Sequence, residues 1–274
     1  MWNLLNNSLS MPSIEDLKKK CFKQNIDLSL RERYKKNYAQ YYALYITHFF
    51  SIRIVRFLYN KSITPNQVTV FSIILSFVSA FSFSLGSNIS CLVGAFLLEL
   101  FYIFDSVDGQ LARAKRLSSH GGKYLDVFCN FLVPPVVLFG VGIGVLKTGC
   151  TSFAFYSLWL GCYAVLTIQV IELLRDNIFN MHIYNSQQID KNKLEQHKSH
   201  PNLSLPRKAY SMFYRSCTMP VIMNIVTVTA ISNIFFKQNI FEFTIAYFAV
   251  VGTVVWLSKL VYISKGNASP KNNG

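Results

Sequence analysis

The stretch Asp105-Ser106-Val107-Asp108-Gly109-Gln110-Leu111-Ala112-Arg113 carries the densest chemistry in the chain. It follows directly on the apolar run Ile89 to Phe104. Asp105 and Asp108 are three residues apart, which places both carboxyls on one face of a helix. Adjacent carboxylates repel, and each raises the pKa of the other unless a cation neutralises them. Ionisable groups at the edge of a membrane segment are costly unless they face water, an ion or a partner. A divalent cation answers both demands, and oxygen ligands point to Mg2+ or Mn2+. The next apolar run opens with Gly121-Gly122-Lys123-Tyr124-Leu125-Asp126 and reaches Asn130 four residues later. Asp126 and Asn130 thus share a helical face, and a short connection brings Asp126 near Asp105 and Asp108. Asn130 has an oxygen to lend but no useful basicity near neutral pH. Gly109, Ala112 and Gly122 leave room for close approach of an ion and a pyrophosphate. Arg113 offers a planar donor fork suited to phosphate. Two other acids, Glu99 and Glu172, lie in or at the end of apolar runs and are alternative bases by position only.

The elements that must hold these residues are membrane-spanning helices. The 274-residue chain is 51% hydrophobic and 15% charged, against about 25% charged residues in a soluble domain. Six apolar runs stand out: Val68 to Leu85, Ile89 to Phe104, Tyr124 to Leu146, Phe153 to Leu173, Met219 to Phe235 and Ile240 to Val261. Each approaches the length needed to cross a bilayer, the second only if its acidic end continues the helix. Continuous rather than alternating apolar character favours helices over a barrel. The fold class is therefore all-α, a polytopic membrane protein with six transmembrane helices. Thr64-Pro65-Asn66 marks the start of the first span, with Pro65 at a helix N-terminus. The run Tyr45 to Tyr59 is broken by Arg53 and Arg56 and is too short to span.

Residues 1–60 read as a cytoplasmic or interfacial segment without a secretory signal. Within it, Leu28 to Tyr45 mixes apolar and aromatic groups with Arg31, Arg33, Lys35 and Lys36, as in an amphipathic helix lying on an anionic leaflet. Residues 61–263 form the transmembrane domain, including a polar connection over 175–215, and residues 264–274 form a disordered tail. The net charge of +14 is concentrated between apolar runs. Lys and Arg gather before the first span, between spans two and three, and after span four, which places these regions and both termini in the cytoplasm. That bias accounts for the charge without a nucleic-acid partner. The six cysteines show no CxxC spacing and read as reduced, buried thiols. His182, His197 and His200 form no ligand pattern.

The motif residues resemble the CDP-alcohol phosphotransferase family, also called CDP-alcohol phosphatidyltransferases. Its pattern is two Asp separated by two residues, then Gly, two residues, Ala-Arg, about eight residues, Gly, three residues, Asp, three residues, Asp. This chain supplies Asp105, Asp108, Gly109, Ala112, Arg113, Gly122 and Asp126 at matching spacings, with Asn130 where the fourth Asp stands. The segment Thr64 to Thr69 is similar to the one that opens the family's first span. The resemblance implies six spans, a homodimer in the inner (cytoplasmic) membrane, and an active site facing the cytoplasm. It implies transfer of a substituted phosphoryl group from a CDP-linked donor, CDP-diacylglycerol or a CDP-alcohol, to an acceptor with release of CMP. It assigns Asp105, Asp108 and Asp126 to the metal, and Gly109, Ala112, Arg113 and Gly122 to the nucleotide and phosphate, with Thr64 and Asn66 near the nucleotide. It also makes Asp126 and position 130 catalytic, the latter being where the base stands. Asn130 leaves open a redirected or slowed enzyme, another base, or a nucleotide-binding scaffold without catalysis. A transporter is the remaining alternative, motivated by polar residues at span ends; paired broken spans would support it, and Pro134-Pro135 is a single instance.

Overall fold

The computed structural model describes residues 12–21, 47–148, 152–186, 213, 217, 219–236 and 240–262. All regular structure among them is helical. The helices are α1 Ile14–Cys21, α2 His48–Tyr59, α3 Pro65–Ser84, α4 Asn88–Lys115, α5 His120–Lys147, α6 Ser152–Ser186, α7 Met219–Phe236 and α8 Ile240–Tyr262. Five are long and apolar enough to cross a membrane: Pro65–Ser84, Asn88–Lys115, His120–Lys147, Ser152–Ile171 and Ile240–Val261. The apolar stretch Pro220–Phe236 is shorter. The protein is thus an all-α, multi-pass membrane protein. The helix expected over Leu28 to Tyr45, the 264–274 tail and most of the 175–215 connection lie outside the described residues. The first part of that connection continues α6 as helix to Ser186.

Residues 1–137 and 138–274 form two compact units. In the first, the start of α3 is fixed by its own side chains. The backbone N–H of Thr64 donates to Gln67 Oε1 at 2.9 Å, and the Gln67 N–H donates to Thr64 Oγ1 at 3.4 Å. Pro65 occupies the first helical turn, where its missing N–H costs nothing. The buried face of α3 is built of Thr69, Ser72, Ser76 and Ser79, while Phe71, Ile74, Phe77 and Phe81 are exposed. This inverts the pattern of a soluble helix. In lipid, apolar side chains face outward, and small residues let helices approach closely. The buried hydroxyls are satisfied largely by their own helix: Ser72 donates to Thr69 O and Ser76 to Ile73 O, both at 2.7 Å. Ser79 instead reaches α4 and donates to Gly94 O at 2.7 Å. Phe83 lies against Gly94, where a Cβ would come within 3.0 Å of its ring.

The acidic stretch does continue α4, which runs three turns beyond Phe104. This extension is covered on one side by α1 and α2. Leu17, Ile52, Val55 and Leu58 pack there with Val107, Leu111 and Ala114. Gln110 Nε2 donates to Ser51 Oγ at 2.8 Å and pairs with His48 Nδ1 at 2.9 Å. The Lys115 ammonium donates to the carbonyls of Lys61 and Ile63 at 2.6 and 2.8 Å. The run expected to be too short to span is therefore a helix docked on α4. Its outer side presents Phe49, Phe50 and Phe57.

In the second unit, α6 and α8 pack through small residues. A Cβ on Gly161 would meet the backbone of Ile245 and Ala249 at 3.4 Å, and Gly252 abuts Ala164. Thr229 of α7 and Thr244 of α8 share a hydrogen bond of 2.9 Å, and Asn233 Oδ1 accepts from the Ile240 N–H at the start of α8. Pro134 and Pro135 lie within an unbroken α5.

Candidate functional site

The turn between α4 and α5 sets the geometry of the site. Arg116 adopts the left-handed conformation at φ 57°, a region that usually favours glycine. The Leu117 N–H then donates back to Ala112 O at 2.9 Å and the Arg116 N–H to Arg113 O at 3.3 Å, closing α4 with a reversal of direction. Ser119 opens α5 by accepting the Gly122 N–H at 3.0 Å. Only residues 116–119 separate the two helices. Asp108 lies seven residues before the end of α4 and Asp126 six residues after the start of α5. At 1.5 Å per residue both stand at about 10 Å from the turn. Asp126 lies within electrostatic range of both Asp105 and Asp108, so one site can draw on both helices.

The α4 extension has two faces. Val107, Gln110, Leu111 and Ala114 meet α1 and α2, and the 100° helical step puts Asp105, Asp108, Gly109, Ala112 and Arg113 on the other side. Asp105 lies within electrostatic range of Asp108 and Asp126. Arg113 acts on both Asp108 and Asp126. The Arg113 guanidinium lies across Gly109, where a Cβ would meet Nη1 at 3.4 Å. Gly109 therefore gives the arginine its path. Gly122 faces Asn66 Oδ1 and Ser119 Oγ, which would stand 3.1 and 3.2 Å from a Cβ there. The first turn of α3 and the first turn of α5 thus meet through Asn66 and Gly122. Thr64 caps that same turn of α3.

Asn130 is exposed and turned onto its own helix. Its Nδ2 donates to the Asp126 carbonyl at 3.1 Å and to Asp126 Oδ1 at 3.3 Å. It is thus beside a signature carboxylate, one turn deeper, as its spacing requires. Glu172 lies in α6, whose side chains are not described there. Two participants escaped sequence reasoning. Thr69 Oγ1 donates to Asp108 Oδ2 at 2.5 Å. The buried Cys129 stands within electrostatic range of all three aspartates. Thr69 belongs to the opening segment of α3, but its sequence gives no sign that its hydroxyl leaves its own helix.

Among the described residues, no three His, Cys, Asp or Glu side chains stand together as a formed metal cage. The donor set nevertheless suits a hard divalent cation. Two of its three carboxyls, Asp108 and Asp126, lie within range of the Arg113 guanidinium. Asp105 Oδ1 is buried without a hydrogen-bond partner. A buried carboxylate oxygen in that condition is costly unless a cation or donor meets it.

Several membrane-length helices, with Asp105, Asp108 and Asp126 on the two that flank the 116–119 connection, define a class of membrane protein. Residues 62–256 match the family model described as CDP-alcohol phosphatidyltransferase, and the chain belongs to that family. It is 35% identical over 101 residues to archaetidylinositol phosphate synthase of Pyrococcus horikoshii, covering 37% of this chain and 52% of that protein. It is 38% identical over 76 residues to the bifunctional IPC transferase and DIPP synthase of Thermococcus kodakarensis, covering 28% of this chain and 16% of that one. The matched part is about half of the first relative and a smaller fraction of the second.

Proposed function

We propose that this protein transfers a substituted phosphoryl group from a CDP-linked donor, such as CDP-diacylglycerol or a CDP-alcohol, to an acceptor hydroxyl, releasing CMP at the cytoplasmic face. The observation that supports the reading is that Asp108 and Asp126 lie within electrostatic range of each other across α4 and α5 while Asn66 stands beside Gly122 across α3 and α5. Asp105, Asp108 and Asp126 would hold Mg2+ or Mn2+, which when bound neutralises pyrophosphate charge and makes phosphorus more electrophilic. Arg113 donates its planar fork to a phosphate oxygen, in the path that Gly109 leaves open. Asn66, Thr64 and Gly122 bound the nucleotide end, with Ala112 leaving room alongside. The acceptor oxygen attacks the phosphorus, the bond to the CMP oxygen breaks, and the acceptor proton passes to a carboxylate. Asp126 is the exposed one of the three and the nearest to water. Asn130 cannot take that proton, and it stands where the family's fourth Asp would be. It holds Asp126 by donating to it.

The basic segments favour the cytoplasmic side for the α4–α5 turn, with α7 as a sixth span and both termini inside. Five helices of this chain are long and apolar enough to cross a membrane, and we place it in the inner membrane as a homodimer. Calorimetry on the purified, folded chain tests the reading. CMP and CDP-linked compounds are expected to bind only with Mg2+ or Mn2+, and Asp108→Asn is expected to abolish that binding. No metal-dependent binding of any of them overturns the proposal. Nucleotide binding without CMP release, in an assay where a known relative turns over, assigns the chain to a scaffold role instead.

A further inference from the structure

We infer that Thr69 is a positioning residue for the carboxylate of Asp108, an inference that rests on the proposed metal-dependent reading of the site. Thr69 is 3% exposed and Asp108 6% exposed. The Thr69 hydroxyl contacts Asp108 Oδ2 at 2.5 Å and the Pro65 carbonyl at 3.2 Å. A hydroxyl has one proton to give, and the nearer, more basic acceptor is the carboxylate. This departs from the habit of the same helix, where Ser72, Ser76 and Ser82 return their protons to carbonyls three or four residues earlier.

The contact has a structural origin. The Thr64–Gln67 cap fixes the first turn of α3, and Thr69 sits one turn further on. Its branched Cβ restricts it to few rotamers. A rigid donor at a fixed height therefore meets a carboxylate that would otherwise be repelled by Asp105 and Asp126. With one oxygen held by α3, the carboxylate of Asp108 keeps a defined plane toward its neighbours. Outer partners of this kind orient ligating groups, and their loss typically lowers metal affinity about 10- to 100-fold.

Mn2+ binding to the full chain in lipid nanodiscs, followed by electron paramagnetic resonance of the free ion, tests this without turnover. Thr69→Val keeps the shape and removes the donor, and it is expected to weaken Mn2+ binding about tenfold. Thr69→Ser keeps the donor and is expected to bind as the wild type does. Thr69→Ala, which cannot overpack, supplies the same loss if the valine variant does not fold. Wild-type affinity in both Thr69→Val and Thr69→Ala overturns the inference. So does Thr69→Ser binding as weakly as Thr69→Val, since packing would then be the cause. A folded wild type that takes up no Mn2+ overturns the metal reading itself, whereas wild-type uptake unchanged by loss of the hydroxyl overturns only the role of Thr69.

Discussion

Asn130→Asp puts a carboxylate next to a carboxylate. The amide nitrogen of Asn130 now donates to Asp126 Oδ1 at 3.3 Å. In the variant that donor is replaced by an acceptor at a similar distance. Two unit charges 3.3 Å apart repel by about 1.3 kcal/mol at the dielectric of water and by about 5 kcal/mol at an effective dielectric of 20. Both residues are exposed, so the lower value governs. The lost hydrogen bond adds roughly 1 kcal/mol. The variant is therefore expected to be about 2 kcal/mol less stable than wild type when divalent ions are chelated. A divalent cation shared by the two carboxylates reverses the sign of that interaction. Thermal unfolding in detergent, with EDTA and then with excess Mg2+, measures both. The expected result is a lower midpoint in EDTA, by several degrees, and recovery in Mg2+. A deficit of equal size in both conditions would refute the reasoning, because position 130 would then not face the metal. CMP release with neutral hydroxyl acceptors is expected to rise in the same variant, by up to the roughly 10²–10⁴-fold that a general base supplies. A fall in release together with Mg2+ recovery identifies an acceptor that is itself anionic and is repelled by the added charge.

Burial first, and the Arg113 guanidinium second, hold the His48 imidazole below its ordinary value of 6.5. The folded state thus resists protonation that the unfolded chain accepts, so stability is full above about pH 6.5 and falls as pH drops toward the folded value. The thermal midpoint should decline over that window, and His48→Gln should flatten the decline. Gln110→Leu removes the donor that serves Ser51 and His48, and the loss of those two hydrogen bonds is expected to cost about 1–3 kcal/mol in chemical unfolding. Because Gln110 lies on the face of α4 away from Asp108, Mn2+ affinity in that variant should stay at the wild-type value. A cysteine placed at Ser118, in the α4–α5 turn, should resist membrane-impermeant maleimide in intact cells and react once they are opened. Labelling from outside would place the turn on the wrong side for the proposed function.

Local rules carried much of this protein. The start of α3 at Thr64 and Pro65 was legible because capping is written in neighbouring residues. The pairing of Asp126 with Asn130 was legible because one helical turn separates them. Membrane helices were legible because a backbone in lipid has few alternatives. The extent of α4 was legible only conditionally. Its acidic stretch is too polar to look like a span, and it stays helical because α1 and α2 cover the opposite face with Leu17, Ile52 and Val55.

What the sequence by itself determined is the set of signature residues, their spacing along each helix, and the short connection between α4 and α5. What only the tertiary structure decided is which groups meet across helices. Thr69 and Asp108 are 39 residues apart, and their hydrogen bond depends on the height and rotation of α3 against α4. Asn66 faces Gly122 for the same kind of reason. The docking of α2 through Ser51, His48 and Gln110 is a third case. Periodicity fixes which residues share a face of one helix. It does not fix which face turns toward which neighbour, because that choice is made by the packing of side chains belonging to both.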